Sequence, residues 1–223
     1  MTKRIELFHT GKLAPEQARQ VARIIRSARK DSVPLKHRAA LIQHLTEKLQ
    51  DASFFDGLKQ LPGANKSHVR EYAYRLPSGR KRKLIVKYCG PNLQQAELHG
   101  FDETSYQLVH RAFGELLANG TIDPTHYVLA RIPTFGTIIT HDKRYYLLME
   151  KLRHARIPPS EYDEPPFQAY LADMLAVGQH ATKLGFKFKP VAVKTQAFDA
   201  LILGSIRGQN SKLRVLAPPH DFC

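Results

Sequence analysis

The sequence predicts an α+β fold: a basic helical segment, then an antiparallel sheet carrying one long helix, then a reduced C-terminal region. Three observations predict it. Apolar residues recur at helical spacing over residues 14–58. From Val69 the pattern switches to period-two alternation, the signature of strands with one buried face. A second helical pattern, long enough for several turns, then runs from Gln94 to Asn119.

Pro15 suits a first helical position, where its missing N–H costs nothing. Ala18, Val21, Ala22, Ile25 and Ala28 form an apolar stripe, with Arg19, Arg23, Arg26 and Lys30 around it. Ser32-Val33-Pro34 breaks this helix, and Leu41, Ile42, Leu45 and Leu49 form the stripe of a second, followed by Phe54, Phe55 and Leu58. Leu61 to His68 is a small, polar loop containing Gly63, Lys66 and Ser67. The strand from Val69 to Leu76 turns at Pro77-Ser78-Gly79-Arg80 into a second strand through Lys87, a hairpin by its turn chemistry.

The long helix buries Tyr106, Val109, Phe113, Leu116 and Leu117 and closes at Asn119-Gly120. Strands are expected at Thr137 to Thr140 and Tyr145 to Met149, joined by the polar turn His141 to Arg144. Glu150 to Pro166, with two Pro-Pro pairs, reads as a linker. A helix from Phe167 to Leu184 and strands at Ala200 to Leu203 and Leu213 to Leu216 complete the chain. The expected segments are residues 1–57, 58–153 and 154–223.

The 223 residues carry 34 Lys and Arg against 20 Asp and Glu, a formal charge of +14. That field suits a polyanion, whether nucleic acid, nucleotide phosphate or an acidic surface. No apolar run reaches the roughly 18 residues of a membrane span, and no apolar core follows the basic N-terminus, so a cytoplasmic protein is expected. Cys89 and Cys223 are far apart and belong to no C-x-x-C spacing, which argues against a zinc site or a disulfide framework. The histidine pairs His37 and His44, and His99 and His110, lack the i, i+4 spacing of a helical metal site. No G-x-S-x-G elbow supports nucleophilic hydrolysis.

Arg80 to Tyr88 is the most informative stretch. Lys87 alternates with Ile85, so on a strand the two share a face, and an ammonium among apolar side chains calls for an anion such as phosphate or carboxylate.

The succession of glycine-containing loop, lysine hairpin, long helix, two strands, linker, helix, two strands and Asp-Phe ending resembles the front of the protein-kinase-like superfamily, including its aminoglycoside-phosphotransferase-type members, over about residues 58–223. Ile85-Val86-Lys87 resembles its V-A-I-K strand, which implies that Lys87 contacts nucleotide phosphates and pairs with a helix glutamate. Glu103 and Glu115 both lie on that helix, and Glu103 is favoured. The Gly63 to Ser67 loop stands where the family covers phosphate, with Lys66 and Ser67 as donors, although it lacks the G-x-G-x-x-G repeat. Tyr145 to Leu152 resembles the hinge strand, which implies adenine contacts from backbone groups of Glu150 to Leu152, with Met149 lining the rear of the pocket. The terminal Asp221-Phe222-Cys223 resembles D-F-G, which implies Mg²⁺ on Asp221, with Asp199 in place of the metal-binding asparagine.

The resemblance fails at the catalytic loop. Phe186 to Thr195 contains no acid, so no residue stands for the aspartate that positions the attacking hydroxyl. The expectation is therefore ATP and Mg²⁺ binding by a pseudokinase-like protein with impaired phosphotransferase activity. Two other classes remain open: a nucleic-acid or polyanion-binding module using Arg19, Arg23, Arg26, Lys30 and Arg80 to Lys83, and a scaffolding pseudokinase with an empty pocket and a protein partner.

Overall fold

The computed structural model describes residues 13–61, 68–94, 103–123, 125, 127–130, 134–153, 155–156, 162–185, 201–207 and 212–217. The chain is α+β and forms two compact units: residues 29–102 with 133–153, and residues 1–28 with 103–132 and 154–223. The units are interleaved in sequence. The division therefore differs from the expected consecutive segments, because the helices of residues 1–57 pack onto two different sheets.

The first unit is built on a five-stranded antiparallel sheet in the order β1-β2-β3-β6-β5: Lys59–Gln60, Val69–Arg75, Lys81–Gly90, Tyr145–Glu150 and Thr134–Ile139. The hairpin turn falls at the expected residues. Gly79 adopts φ of 80°, a left-handed conformation that an L side chain resists, and the Leu76 N–H donates to the Arg80 carbonyl at 2.9 Å.

Helices α2 (Arg38–Lys48) and α3 (Ala52–Asp56) cover one sheet face. Leu41, Leu45 and Leu49 are fully buried there against Leu84, Val86, Tyr146 and Leu148. Asp51 caps α3 by accepting the Ser53 N–H at 2.9 Å. A Cβ at Gly136 would approach Ile42 Cδ1 to 2.9 Å, so α2 lies close over β5.

In the second unit β4 (Tyr127–Leu129), β9 (Lys212–Ala217), β8 (Leu201–Arg207) and β7 (Ala155–Arg156) form a four-stranded sheet in that order, with β4 parallel to β9. Helix α1 (Pro15–Ala28) packs Val21 and Ile25 against Val128, Val215 and Ile206 of this sheet. Arg19, Arg23, Arg26 and Lys30 are exposed, as expected, but so are Ala18 and Ala22. The buried stripe is rotated toward Ile24, because a branched side chain buries far more apolar area than an alanine.

Helices α4 (Glu103–Ala118) and α5 (Pro165–Lys183) bury Val109, Ala112, Phe113 and Leu116 against Phe167, Tyr170, Met174, Val177 and Ala181. The first helix ends at Gly120, whose φ is 73°. The Tyr106 side chain lies outside the described residues. Within this core the Tyr127 hydroxyl donates to Asp173 at 2.5 Å, whereas the fully buried Tyr170 hydroxyl has no partner among the described residues. Burial pushes the Tyr170 phenol well above its ordinary range. Tyr170→Phe should therefore raise stability by about 1 kcal/mol, since it removes a desolvated hydroxyl and keeps the ring. Urea unfolding of both proteins checks this.

Strand β5 begins at Thr134 rather than Thr137, and β8 reaches Arg207 rather than Leu203. The stretch Glu150 to Pro166 is not linker throughout: Glu150 ends β6, β7 lies within it, and α5 starts at Pro165. Strand β4 was not expected at all. No helix among the described residues is long and apolar enough to cross a membrane.

Candidate functional site

Strand alternation gives the five-stranded sheet two chemically different faces. Leu84, Val86 and Tyr88 point to the α2 side, and Ile85, Lys87 and Cys89 to the other. Lys87 is 3 % exposed, on the central strand, opposite Val69 of β2 and Leu147 of β6. Ile85, Cys89, Leu147 and Met149 form a buried cluster on its face, with Leu61, Val69 and Tyr145 partly buried against them. An ammonium group therefore stands at the centre of an apolar surface.

The same face carries an acid that sequence reasoning missed. Glu71, 9 % exposed, lies two residues along β2 from Val69 and opposite Ile85. It accepts from Lys83 at 2.8 Å and lies 3.7 Å from Lys151. Burial pushes its carboxyl up, but the Lys83 hydrogen bond and the charges of Lys83, Lys151 and Lys59 outweigh that and hold it below the ordinary range. The period-two register from Val69 was the available signal.

Glu150 lies on the opposite face, 3 % exposed. Its side chain accepts from Arg29 Nε at 2.6 Å, forms ion pairs with the terminal nitrogens of Arg29 and Arg38, and has Ser32 Oγ at 3.5 Å. Ser32 Oγ also donates to the Lys151 carbonyl at 3.1 Å. Arg153 grips Asp31 with two bonds, 2.7 and 3.1 Å, and the Lys83 N–H donates to the Asp31 carbonyl at 2.9 Å. Residues 29–33 are thereby strapped along the end of β6, a long-range arrangement with no local signal in the sequence.

The structure thus brings together Lys87, Met149 and the β6 end, and turns the Glu150 side chain away from Lys87. Leu152 is buried at 6 % exposure, and the Lys151 carbonyl is already one hydrogen-bond acceptor for Ser32. Gly63, Lys66, Ser67, Asp199 and Asp221 lie outside the described residues, as does the loop Phe186 to Thr195. Glu103 starts α4, but its side chain lies outside them too. Glu115, the other candidate partner, is bonded to His180 at 2.7 Å and to Arg111 at 2.7 Å on the α4–α5 surface. Among the described residues no group of three His, Cys, Asp or Glu side chains could hold a metal ion.

The hydrogen bond from Arg153, with the Arg153, Arg82 and Lys83 charges, keeps the Asp31 carboxyl below its usual range against the effect of burial. Asp31 and Glu71 both have lowered folded-state values, so their contribution is present above the unfolded carboxylate range, near pH 4, and is lost as pH falls through the folded values. Stability of the five-strand unit should therefore fall from about pH 5 downward. In Asp31→Asn/Glu71→Gln this acid limb should be shallower, as read by circular dichroism melts across pH 6 to 2.

Comparison with known protein families finds no matching family model, and comparison with curated proteins finds no match.

Proposed function

We propose that the five-strand unit is a kinase-like nucleotide-binding fold that takes ATP, or a related nucleoside triphosphate, on the Lys87 face. The observation that carries this reading is Lys87 itself: a nearly fully buried ammonium on the central strand, paired directly with the hinge-like strand and flanked by Ile85, Leu147, Met149 and Val69. Apolar side chains there would hold the base, and the ammonium would meet the phosphates. Strand β3 lies between β2 and β6 in the sheet, so the lysine and hinge candidates belong to neighbouring strands.

In this reading Lys66 and Ser67 assist at the phosphates, and backbone groups of Glu150 to Leu152 meet the base. A bound Mg²⁺ would neutralise phosphate charge. Phosphoryl transfer is impaired, since positioning of the attacking hydroxyl supplies much of this catalysis and the loop Phe186 to Thr195 has no acid to do it. A cytoplasmic location belongs to the same reading.

Thermal unfolding with and without Mg-ATP tests it. Nucleotide at about 100 times its dissociation constant adds roughly 2.7 kcal/mol. At this chain length that raises Tm by roughly 5–10 °C. Lys87→Ala should lose most of that rise. An unmoved wild type, or an equal rise in Lys87→Ala, removes the reading.

A further inference from the structure

We infer that the β2–β3 hairpin arm is a docking element for the phosphate backbone of a nucleic-acid duplex, displaced along the strands from Lys87 toward the turn. Among the described residues β1 pairs with Arg70 and Glu71 of β2 and no further, and β6 pairs with β3 no further toward the turn than Leu84. Residues 73–83 therefore continue as a two-stranded ribbon beyond the flanking strands, about 13 Å from Lys83 to the turn.

Residues 72–86 hold Arg75, Arg80, Lys81, Arg82 and Lys83 and no acidic residue. Arg75 and Lys81 are direct cross-strand partners. Like charges opposite each other destabilise a ribbon, and a bound polyanion would relieve that repulsion. Arg75, Arg80 and Lys81 are all exposed, and none forms an ion pair with a described residue. Arg82 Nε is buried without a hydrogen-bond partner among the described residues.

The folded chain adds to this charge. The carboxylates near the base of the arm are already engaged: Asp31 by Arg153, with Arg82 and Lys83 also acting on it, and Glu71 by Lys83 and Lys151. The Lys83 N–H bond to Asp31 brings the chain beside exposed Lys30 to the arm's base. A net-positive strip thus runs from the turn to residues 30 and 153.

The chemistry favours a duplex. Single-strand binders present aromatic platforms for stacked bases. The arm from Arg75 to Lys83 has no aromatic residue, and Tyr72 and Tyr74 turn toward α2. Cations without stacking groups track phosphates and read no sequence.

Fluorescence anisotropy with 20-base-pair DNA and RNA duplexes, the matching single strands and phosphatidylserine vesicles, across 50–200 mM salt, tests this. About four phosphate contacts predict a log–log slope near −3.6, a loss of roughly 100-fold over that range. The exposed double variant Arg80→Glu/Lys81→Glu should bind at least tenfold more weakly, with the slope shallower by about two. Arg80→Ser/Lys81→Ser should move the same way by less, and Lys87→Ala should bind as wild type does. Unfolding midpoints near wild type show that the arm variants fold. The two duplex arms distinguish DNA from RNA as the source of the backbone. Absence of duplex binding at 50 mM salt, unchanged affinity in both arm variants, tighter binding to single strands or vesicles, or an equal loss in Lys87→Ala would each overturn the inference. Failure of nucleotide binding at Lys87 leaves these outcomes unaffected.

Discussion

Glu150→Ala is expected to destabilise the five-strand unit by about 3–5 kcal/mol, the cost of removing one partner from a buried ion pair. The Glu150 side chain is fully buried, and those of Arg29 and Arg38 are only 24 % and 12 % exposed. Truncation leaves two guanidiniums facing each other in a poorly solvated place, and Ser32 loses a neighbour. The loss is larger than the pair's net contribution, because the arginine charges stay behind without the carboxylate. Glu150→Gln fills the space and accepts some of the same hydrogen bonds, so it should cost less than the alanine. The chain has no tryptophan, so urea unfolding followed by far-ultraviolet circular dichroism is the suitable readout. A loss under 1 kcal/mol in Glu150→Ala would mean that the arginines find solvent, and that the strap over residues 29–33 is not held by this carboxylate.

Leu148→Ala should cost about 2–5 kcal/mol by a different route, the loss of apolar transfer energy plus an incompletely collapsed cavity. Leu148 is inaccessible to solvent, at the middle of β6 and on the α2 face with Leu84, Val86, Ile138 and Tyr146. Its neighbourhood has little room to relax: a Cβ at Gly136 would lie 3.6 Å from Leu148 Cδ1 and 2.9 Å from Ile42 Cδ1. Leu147, one residue earlier, lies on the Lys87 face. Among variants that remain folded, Leu148→Ala should therefore keep the thermal response to Mg-ATP, and Leu147→Ala should weaken it. Equal responses in the two variants would contradict the assignment of the two faces.

How much of this was legible depended on whether the determinant was local. The Val69 to Lys87 hairpin was legible, because alternation and the Pro77 to Arg80 turn are short-range signals, and Lys87 shares a face with Ile85 as alternation requires. The α4 stripe was legible for the same reason, with Val109, Phe113 and Leu116 buried as expected. Helix α1 was legible, and Val21, Ile25 and Ala28 of its expected stripe are buried, whereas Ala18 and Ala22 fit the spacing yet stay exposed and the partly buried Ile24 packs against the sheet instead. Strand β4 is only three residues long and pairs with β9 some 85 residues later, beyond any window of periodicity. Nothing in the sequence linked Arg29 and Arg38 to Glu150, more than 110 positions away. Glu71 could have been found. It sits at the alternate position from Val69, and the register that sends Lys87 inward sends Glu71 to the same face.

Nucleotide binding at Lys87 is tested by a calorimetric titration of the folded protein with Mg-ATP, wild type beside Lys87→Met, which keeps much of the side-chain volume and removes the charge. Wild type should show saturable, one-to-one binding, the variant binding weakened at least tenfold, and Leu148→Ala binding unchanged. No heat of binding in the wild type, or identical isotherms for wild type and Lys87→Met, would contradict it.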